Sequence, residues 1–218
     1  MKDGEKLKHA SSRKVFLRKM KVVKFYPSIY GYILHDLALL AFSAFFFRLI
    51  APISPKRKIF NELEGRKILA SMGIKTTKIN SFSFSERFVE EEFNVKASTI
   101  NDLELESPKK TLKFVRKIGE ITRKLNDKNF YFIDNRTSNW MFDGEIIRTD
   151  LELFRKSAKS KKFLVFCDIL SFISTLKSEE AKKEFLKGYG KKFRISRFLQ
   201  LLVAIYIKLT NKFLLSSS

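Results

Sequence analysis

Three polar side chains lie close together in the sequence and could carry out metal-dependent chemistry. Asn139 comes five positions after Asp134, and Asp150 comes eleven positions after Asn139. A carboxylate can accept the proton of an attacking hydroxyl, and carboxylate and amide oxygens suit Mg²⁺. This order of groups is typical of phosphoryl transfer, in which Mg²⁺ holds the nucleotide phosphates and a carboxylate orients the acceptor. On spacing alone, an ordinary turn rich in Asp and Asn explains the same residues equally well.

The residues around these three predict a loop that leads into a β-hairpin. An apolar run over residues 130–133 enters the loop, and two short strands are predicted over 139–142 and 146–149. The dipeptide Asp143-Gly144 between the strands is a typical hairpin turn. This hairpin would place the Asn and the second Asp at its two open ends, facing the same site.

Turn signals and hydrophobic periodicity predict a β-rich group of elements followed by an α-rich group. The first group has paired strands within residues 15–26, a helix that starts at the N-cap Ser54 and ends at Gly73, and a hairpin over residues 78–93. The second group has a polar linker over 101–108, an amphipathic helix over 111–125, an exposed basic segment over 155–162 and helices from residue 163 onward. We therefore expect an α+β chain with an N-terminal lobe over residues 1–100 and a C-terminal lobe over 101–218.

The charge of the chain favours an anionic partner. The formal net charge is +21 over 218 residues, which suits nucleic acid, an acidic membrane surface or polyphosphate. A generally lysine-rich composition, as in some thermophiles, would give the same charge without such a partner. The one cysteine, Cys167, excludes an intramolecular disulfide and a cysteine-based zinc site. With two histidines, the chain also has little material for histidine-based metal sites or Ser-His-Asp catalysis.

Two apolar segments have basic flanks. Residues 28–53 contain an uninterrupted apolar run at 37–47, and residues 198–207 form the second segment. Both are shorter than the ~20 residues that a spanning helix needs. Each is therefore expected to be a core helix or a helix that lies in a membrane interface. The charged residues 1–24 do not resemble a signal peptide, so we expect a cytoplasmic protein, with association with the inner face of a membrane as the alternative.

Five segments in a fixed order resemble a known group of enzymes. They are Val22-Val23-Lys24-Phe25 in a strand, Asn61-Glu62 in the helix that ends before Gly73-Ile74, the loop over residues 132–139, the tripeptide Asp150-Leu151-Glu152, and Phe166-Cys167-Asp168 in a late helix. Together they resemble the small atypical protein-kinase-like enzymes, namely the archaeal KEOPS-complex kinase, the RIO kinases and the lipopolysaccharide-kinase-like group. The resemblance covers roughly residues 10 to 190 and implies a two-lobe fold that uses ATP and Mg²⁺.

The resemblance also implies a role for each matched residue. In the N-terminal lobe, Lys24 would bind the α- and β-phosphates and pair with Glu62, with Glu64 as the alternative partner. In the C-terminal lobe, Asp134 would be the catalytic base. Asn139 and Asp150 would hold the metal. Asp168 would brace the catalytic loop through backbone N–H groups.

The sequence departs from the family pattern at three places. The segment before Lys24 that should contain a glycine-rich loop is His9–Lys14, which has no glycine, so Ser11 and Ser12 are the expected phosphate donors there. Phe132 and Ile133 replace the family's His-Gly. The segment 28–53 is an insertion, expected to be an apolar helix in the N-terminal lobe.

Three functions remain open at this point. The first is an ATP- and Mg²⁺-dependent phosphotransferase that acts on a Ser/Thr or another hydroxyl, on a protein or a small molecule, or that hydrolyses ATP. The second is a basic module or scaffold with a degenerate kinase fold that binds RNA such as tRNA. The third is a kinase at a membrane surface that acts on a lipid-linked or glycan acceptor. The sequence does not indicate which acceptor is used.

Overall fold

A computed structural model describes residues 5–6, 14–18, 21–26, 54–92, 96–157 and 161–190. The predicted phosphate donors Ser11 and Ser12 and the apolar segments 28–53 and 198–207 lie outside these residues. Within the described ranges, every helix is too short or too polar to cross a membrane.

The described residues form eleven strands and five helices. The strands are β1 (Glu5–Lys6), β2 (Lys14–Arg18), β3 (Lys21–Phe25), β4 (Lys75–Thr76), β5 (Ile79–Ser83), β6 (Phe88–Glu92), β7 (Ser98–Thr99), β8 (Phe130–Tyr131), β9 (Trp140–Asp143), β10 (Glu145–Arg148) and β11 (Arg155–Lys156). The helices are α1 (Pro55–Ser71), α2 (Ile100–Glu106), α3 (Pro108–Asp127), α4 (Lys161–Ile173) and α5 (Glu179–Tyr189).

The first lobe is a five-stranded antiparallel sheet covered by α1. The strand order is β1-β2-β3-β6-β5, so β3 lies at the centre of the sheet. Ser54 caps α1 by accepting a hydrogen bond from the Arg57 N–H at 3.2 Å, and Pro55 occupies the first turn. Ile59 of this helix packs with Tyr26 and Val89 of the sheet. The helix that carries the predicted partner of Lys24 is thereby fixed against the strand that carries the lysine.

The second lobe surrounds the predicted catalytic loop. The hairpin β9–β10 turns at Gly144, whose φ of 70° is favourable for glycine, and β4 and β7 extend it to the sheet β4-β10-β9-β7. Strand β8 pairs with β11, and a 3-10 turn covers Thr137–Asn139. A large core of α3, α4 and α5 side chains packs beneath the loop, with Val115, Ile118 and Phe185 fully buried.

The structure corrects two element predictions. Residues 101–108, predicted as a polar linker, fall in α2 and at the start of α3. The acidic residues that suggested a linker include Asp102, which forms a capping box with Thr99, while Ile100 is buried in the core. Of the basic segment 155–162, predicted to be exposed, Arg155 lies in β11 and is half-buried, Lys156 and Lys162 are exposed, and residues 158–160 lie outside the described residues.

Helices α3 and α5 touch through their backbones at two glycines. A Cβ atom on Gly188 would collide with the carbonyl group of Arg116, and one on Gly119 would collide with that of Phe185. We expect Gly188→Ala to lower the free energy of unfolding by about 1–3 kcal/mol, because the helices would have to separate. Urea denaturation measures this loss. The exposed Lys183→Ala in the same helix is the control and should change stability by less than ~0.5 kcal/mol. Equal stability of the two variants would contradict the close packing.

Candidate active site

Lys24 lies in a closed ring of four buried charges. Its Nζ is 3.3 Å from Glu62 Oε1 and also forms an ion pair with Glu91. Arg66 pairs with the same two carboxylates, at 2.8 Å from Glu91 Oε1 and in close contact with Glu62. All four side chains are less than one-tenth exposed. The predicted Lys24–Glu62 contact is therefore present, but it belongs to a larger unit.

Secondary structure explains why these charges meet. Glu62 and Arg66 are four residues apart in α1 and so share one helix face. Lys24 of β3 lies opposite Val89 of β6, and Glu91 is two residues further on the same face of that strand. Of the two predicted partners for Lys24, Glu62 is fully buried, whereas Glu64 is exposed.

Mutual attraction favours the charged forms of Lys24 and Glu91. Burial by itself lowers the pKa of Lys24, but attraction to Glu62, Glu91 and Asp150 outweighs burial and raises that pKa above its ordinary value. Burial likewise raises the pKa of Glu91, and the charges of Arg66 and Lys24 more than reverse this effect. The predicted metal residue of the second lobe, Asp150, is thus among the carboxylates whose charge raises the pKa of Lys24.

Hydrogen bonds to its backbone carbonyl hold the predicted base Asp134 in place. Its carbonyl oxygen accepts hydrogen bonds from Arg148 Nη2 at 2.7 Å and from Asn139 Nδ2 at 3.2 Å. Its carboxylate is partly exposed, and Oδ1 lies 2.8 Å from Nε of Arg136. The carboxylate therefore remains open to a substrate, with a cation beside it.

Asp168 connects α4 to the loop that precedes Asp134. Its Oδ1 accepts a hydrogen bond from the Ile133 N–H at 2.6 Å, and its Oδ2 accepts from the Phe132 N–H at 3.2 Å. Asn126 Nδ2 donates to the same Oδ2 at 2.7 Å. Asp168 is fully buried, so its carboxyl depends entirely on these donors.

The titration of Asp168 leads to a pH prediction. Burial raises the pKa of this carboxyl to about 7, although its hydrogen-bond donors lower it, while an aspartate in the unfolded chain titrates near 3.8. Between these values the folded state keeps a proton that the unfolded state has released. The contribution of Asp168 to the free energy of unfolding is therefore expected to fall as the pH rises from about 4 to about 7. Urea denaturation across this window measures the slope. Asp168→Asn should remove this contribution, and an unchanged slope in the variant would assign the dependence to another group.

Helix α1 also holds the segment that follows Asp150. Asn61 Nδ2 donates to the Glu152 carbonyl at 2.8 Å. Gly65 lies so close to this segment that a Cβ atom would meet Phe154 Cδ1 at 2.9 Å and Leu151 Cδ1 at 3.2 Å. The helix that pairs with Lys24 is therefore in direct contact with the segment that starts at Asp150.

The hairpin brings Asn139 and Asp150 to the same place. The Asn139 carbonyl accepts a hydrogen bond from the Thr149 N–H at 3.1 Å, one residue before Asp150. Within the described ranges, His, Cys, Asp and Glu form no cluster of three that could hold a metal by itself. An amide and a carboxylate nevertheless fit Mg²⁺, because this ion usually keeps several waters and completes its shell with substrate phosphates. The donor set therefore suits a metal that is bound together with a nucleotide.

Four charged residues of the site were not among the sequence-based candidates. They are Arg66, Glu91, Arg136 and Arg148. Two of them carry a local signal, since Arg66 follows Glu62 by one helical turn and Arg136 follows Asp134 by two residues. Glu91 and Arg148 have no such signal, because their positions depend on pairing between strands.

Comparisons with known proteins give the fold. Neither a protein-family model nor a curated protein matches the sequence of the chain. Among solved structures, the choline kinase LicA from Streptococcus pneumoniae aligns over 96% of this chain and 85% of its own, with 11% identity and a TM-score of 0.57.

Two further solved structures align less closely. WaaP in complex with acyl carrier protein aligns over 97% of this chain and 89% of its own, with 13% identity and a TM-score of 0.49. The Lpg2603 kinase of Legionella pneumophila bound to IP6 aligns over 87% of this chain and 58% of its own, with 12% identity and a TM-score of 0.43. At such identities a likeness establishes the fold alone, and of these three alignments the one with LicA carries it. The predicted α+β architecture is confirmed: this chain has the two-lobe protein-kinase-like fold.

Proposed function

We propose that the protein is an ATP- and Mg²⁺-dependent phosphotransferase. The observation that carries the proposal is the buried Lys24–Glu62 pair, whose helix contacts Leu151 and Glu152 next to Asp150. A lysine in a buried ion pair is costly to maintain in an apolar site. This cost is explained if polyphosphate and metal bind between Lys24 and the partly exposed carboxylate of Asp150.

Each residue has a part in the proposed reaction. Lys24 binds the α- and β-phosphates, and Glu62 keeps its ammonium in place. Asn139 and Asp150 would hold Mg²⁺, which neutralises charge on the phosphates when it is bound. Asp134 orients the acceptor hydroxyl or water and takes its proton. Arg136, 2.8 Å from Asp134, places a positive charge where the transferred phosphoryl group would arrive.

A thermal-shift titration tests nucleotide binding. At a ligand concentration of about 100 times Kd, MgATP should stabilise the wild type by about 2.7 kcal/mol. Lys24→Met and Asp150→Asn should each remove most of this stabilisation. The exposed Lys21→Met, on the same strand as Lys24, is the control and should keep it. A shift that persists in both site variants would contradict the proposal, and so would the absence of any shift in the wild type.

A face of the first lobe favours the membrane-surface form of this function. Phe60, Phe82 and Phe84 are each about two-fifths exposed, at 42%, 45% and 39%. Arg57 stacks over the Phe60 ring at 4.9 Å, and Lys56 lines the same shallow depression. Exposed aromatic rings beside basic side chains are typical of surfaces that enter the headgroup region of anionic membranes. The acceptor would then be a lipid-linked or glycan hydroxyl.

Vesicle flotation tests whether the protein binds membranes through this face. We expect the protein to float with vesicles that contain phosphatidylserine and to bind pure phosphatidylcholine vesicles weakly. The double substitution Phe60→Ser and Phe84→Ser should reduce flotation strongly. Leu105→Ser removes another exposed apolar side chain, on α2, and should leave flotation unchanged. Equal flotation of both variants would exclude this face as the membrane contact.

A further inference from the structure

Arg148 is a buried arginine at the centre of the proposed active site. It is the last residue of β10, lies opposite Trp140 of β9 and is 1% exposed. Because a charge is costly to bury, a buried strand residue at this position, two before the proposed metal ligand Asp150, would ordinarily be apolar.

Among the described residues, two of the three guanidinium nitrogens of Arg148 have no polar partner. Nη2 donates to the Asp134 carbonyl at 2.7 Å, whereas the buried Nε and Nη1 find no hydrogen-bond acceptor in the part of the chain that the structure describes. The guanidinium carbon lies 4.5 Å from the centre of the Phe132 ring and 5.1 Å from that of Trp140. Aromatic faces hold the cation in position, and within the described ranges no direct ion pair neutralises its charge.

The carboxylates that act on this cation are those of the site. Burial lowers the pKa of Arg148 to about 10, and the charges of Asp150, Asp134, Asp168 and Glu62 oppose this lowering, so the side chain remains a cation at neutral pH. Arg148 Nη2 and Asn139 Nδ2 donate to the same Asp134 carbonyl, which places the cation beside a proposed metal ligand. Arg148 is therefore a fixed positive charge among the groups that would hold Mg²⁺ and orient the acceptor. A positive charge near a cation site weakens metal binding, and it does so most in a poorly solvated interior.

We propose that Arg148 is a positioning residue with two effects on this site. Through the Asp134 carbonyl it fixes the catalytic loop, and through its charge it weakens metal binding to Asn139 and Asp150 in the absence of nucleotide. The metal then binds together with the nucleotide phosphates, whose negative charge offsets that of Arg148. This inference rests on the proposed function, because it assumes that Asn139 and Asp150 are metal ligands.

Removal of the charge should change metal binding and turnover in opposite directions. In Arg148→Met, Mn²⁺ without nucleotide should bind about tenfold more tightly, because the repulsion is gone. Turnover of MgATP should fall, because the Asp134 carbonyl loses the hydrogen bond from Arg148 that fixes the catalytic loop. Free Mn²⁺ is measured by its electron paramagnetic resonance signal, and turnover is measured by ADP release. Arg148→Lys keeps the charge and should bind Mn²⁺ like the wild type.

The experiment has a matched control, and its results separate failure of this inference from failure of the proposed function. Arg123→Met removes an exposed arginine on α3 and should leave Mn²⁺ binding unchanged. If Arg148→Met does not fold, Arg148→Gln provides the same test, since it also removes the charge. Mn²⁺ binding that is unchanged or weaker in the folded neutral variant, while the wild type binds MgATP, overturns this inference alone. If the wild type binds no MgATP, the proposed function fails and the inference fails with it.

Discussion

Replacement of Asp134 by Asn should lower the rate of phosphoryl transfer by about 10²–10⁴-fold while leaving nucleotide binding almost unchanged. The substitution keeps the shape of the side chain and removes its ability to accept a proton. The side chains of Arg148 and Asn139 donate hydrogen bonds to the backbone carbonyl of residue 134, which the variant retains. The loop should therefore keep its position, and the loss should fall on turnover. Rates of ADP formation, with MgATP affinity from calorimetry, provide the measurement.

The control for this prediction is Asp127→Asn. It makes the same chemical change at the end of α3, where Asp127 lies 3.5 Å from Arg123 and about half exposed. This variant should turn over like the wild type. If Asp134→Asn kept the wild-type rate, Asp134 would not be the base, and the partly exposed carboxylate beside Arg136 would need another explanation.

Removal of Arg66 should cause the largest loss of stability. The side chain pairs with Glu62 and Glu91 and also donates to the Thr77 carbonyl at 3.1 Å. In Arg66→Met these two buried carboxylates would share one cation, Lys24, beside the neutral donors Tyr26 and Thr77. Loss of one partner from a buried ionic group typically costs about 3–5 kcal/mol, because a charge is left uncompensated. Urea denaturation measures this loss. Nucleotide affinity should fall as well, because Glu62 and Glu91 would then both pair with the Lys24 ammonium alone and compete with the phosphates for it.

Two comparisons test the reason for this loss. Lys21→Met breaks the Lys21–Glu90 pair on the same strands, where Lys21 is 47% exposed, and should cost less than about 1 kcal/mol. The double variant Arg66→Met with Glu91→Gln should recover part of the stability, because it removes one unpaired charge. If Arg66→Met cost no more than Lys21→Met, the four-charge ring would not be an important source of stability.

The elements with strong local signals were predictable from the sequence. Ser54-Pro55 predicts the start of α1, and Asp143-Gly144 predicts the hairpin turn, because caps and turns depend on neighbouring residues. The loop from Asp134 to Asn139 follows from the same local reasoning. The roles expected for Lys24 and Glu62 came from the resemblance of their segments to the small protein-kinase-like enzymes.

The missed features depend on contacts between distant parts of the chain. Glu91 reaches Lys24 only because β6 pairs with β3 in one register, and residues 26 to 87 separate these strands in the sequence. Arg148 ends a short strand, where a charged residue is usually solvent-facing, and its burial depends on the rings of Phe132 and Trp140. The helix α2 was missed for another reason, since its acidic composition concealed a capping box. The boundary between the lobes near residue 100 remains a prediction.

Phosphorus NMR of MgATP incubated with the protein tests the central claim most directly. The claim is that the cleft between Lys24 and Asp150 transfers the γ-phosphoryl group. We predict loss of the γ-phosphate signal, with ADP and either inorganic phosphate or a phosphorylated acceptor as products, and no such change with Asp134→Asn. Persistence of MgATP with a wild-type protein that binds it would contradict the claim. Formation of AMP would also contradict it, because the bond broken would then be at the α-phosphate.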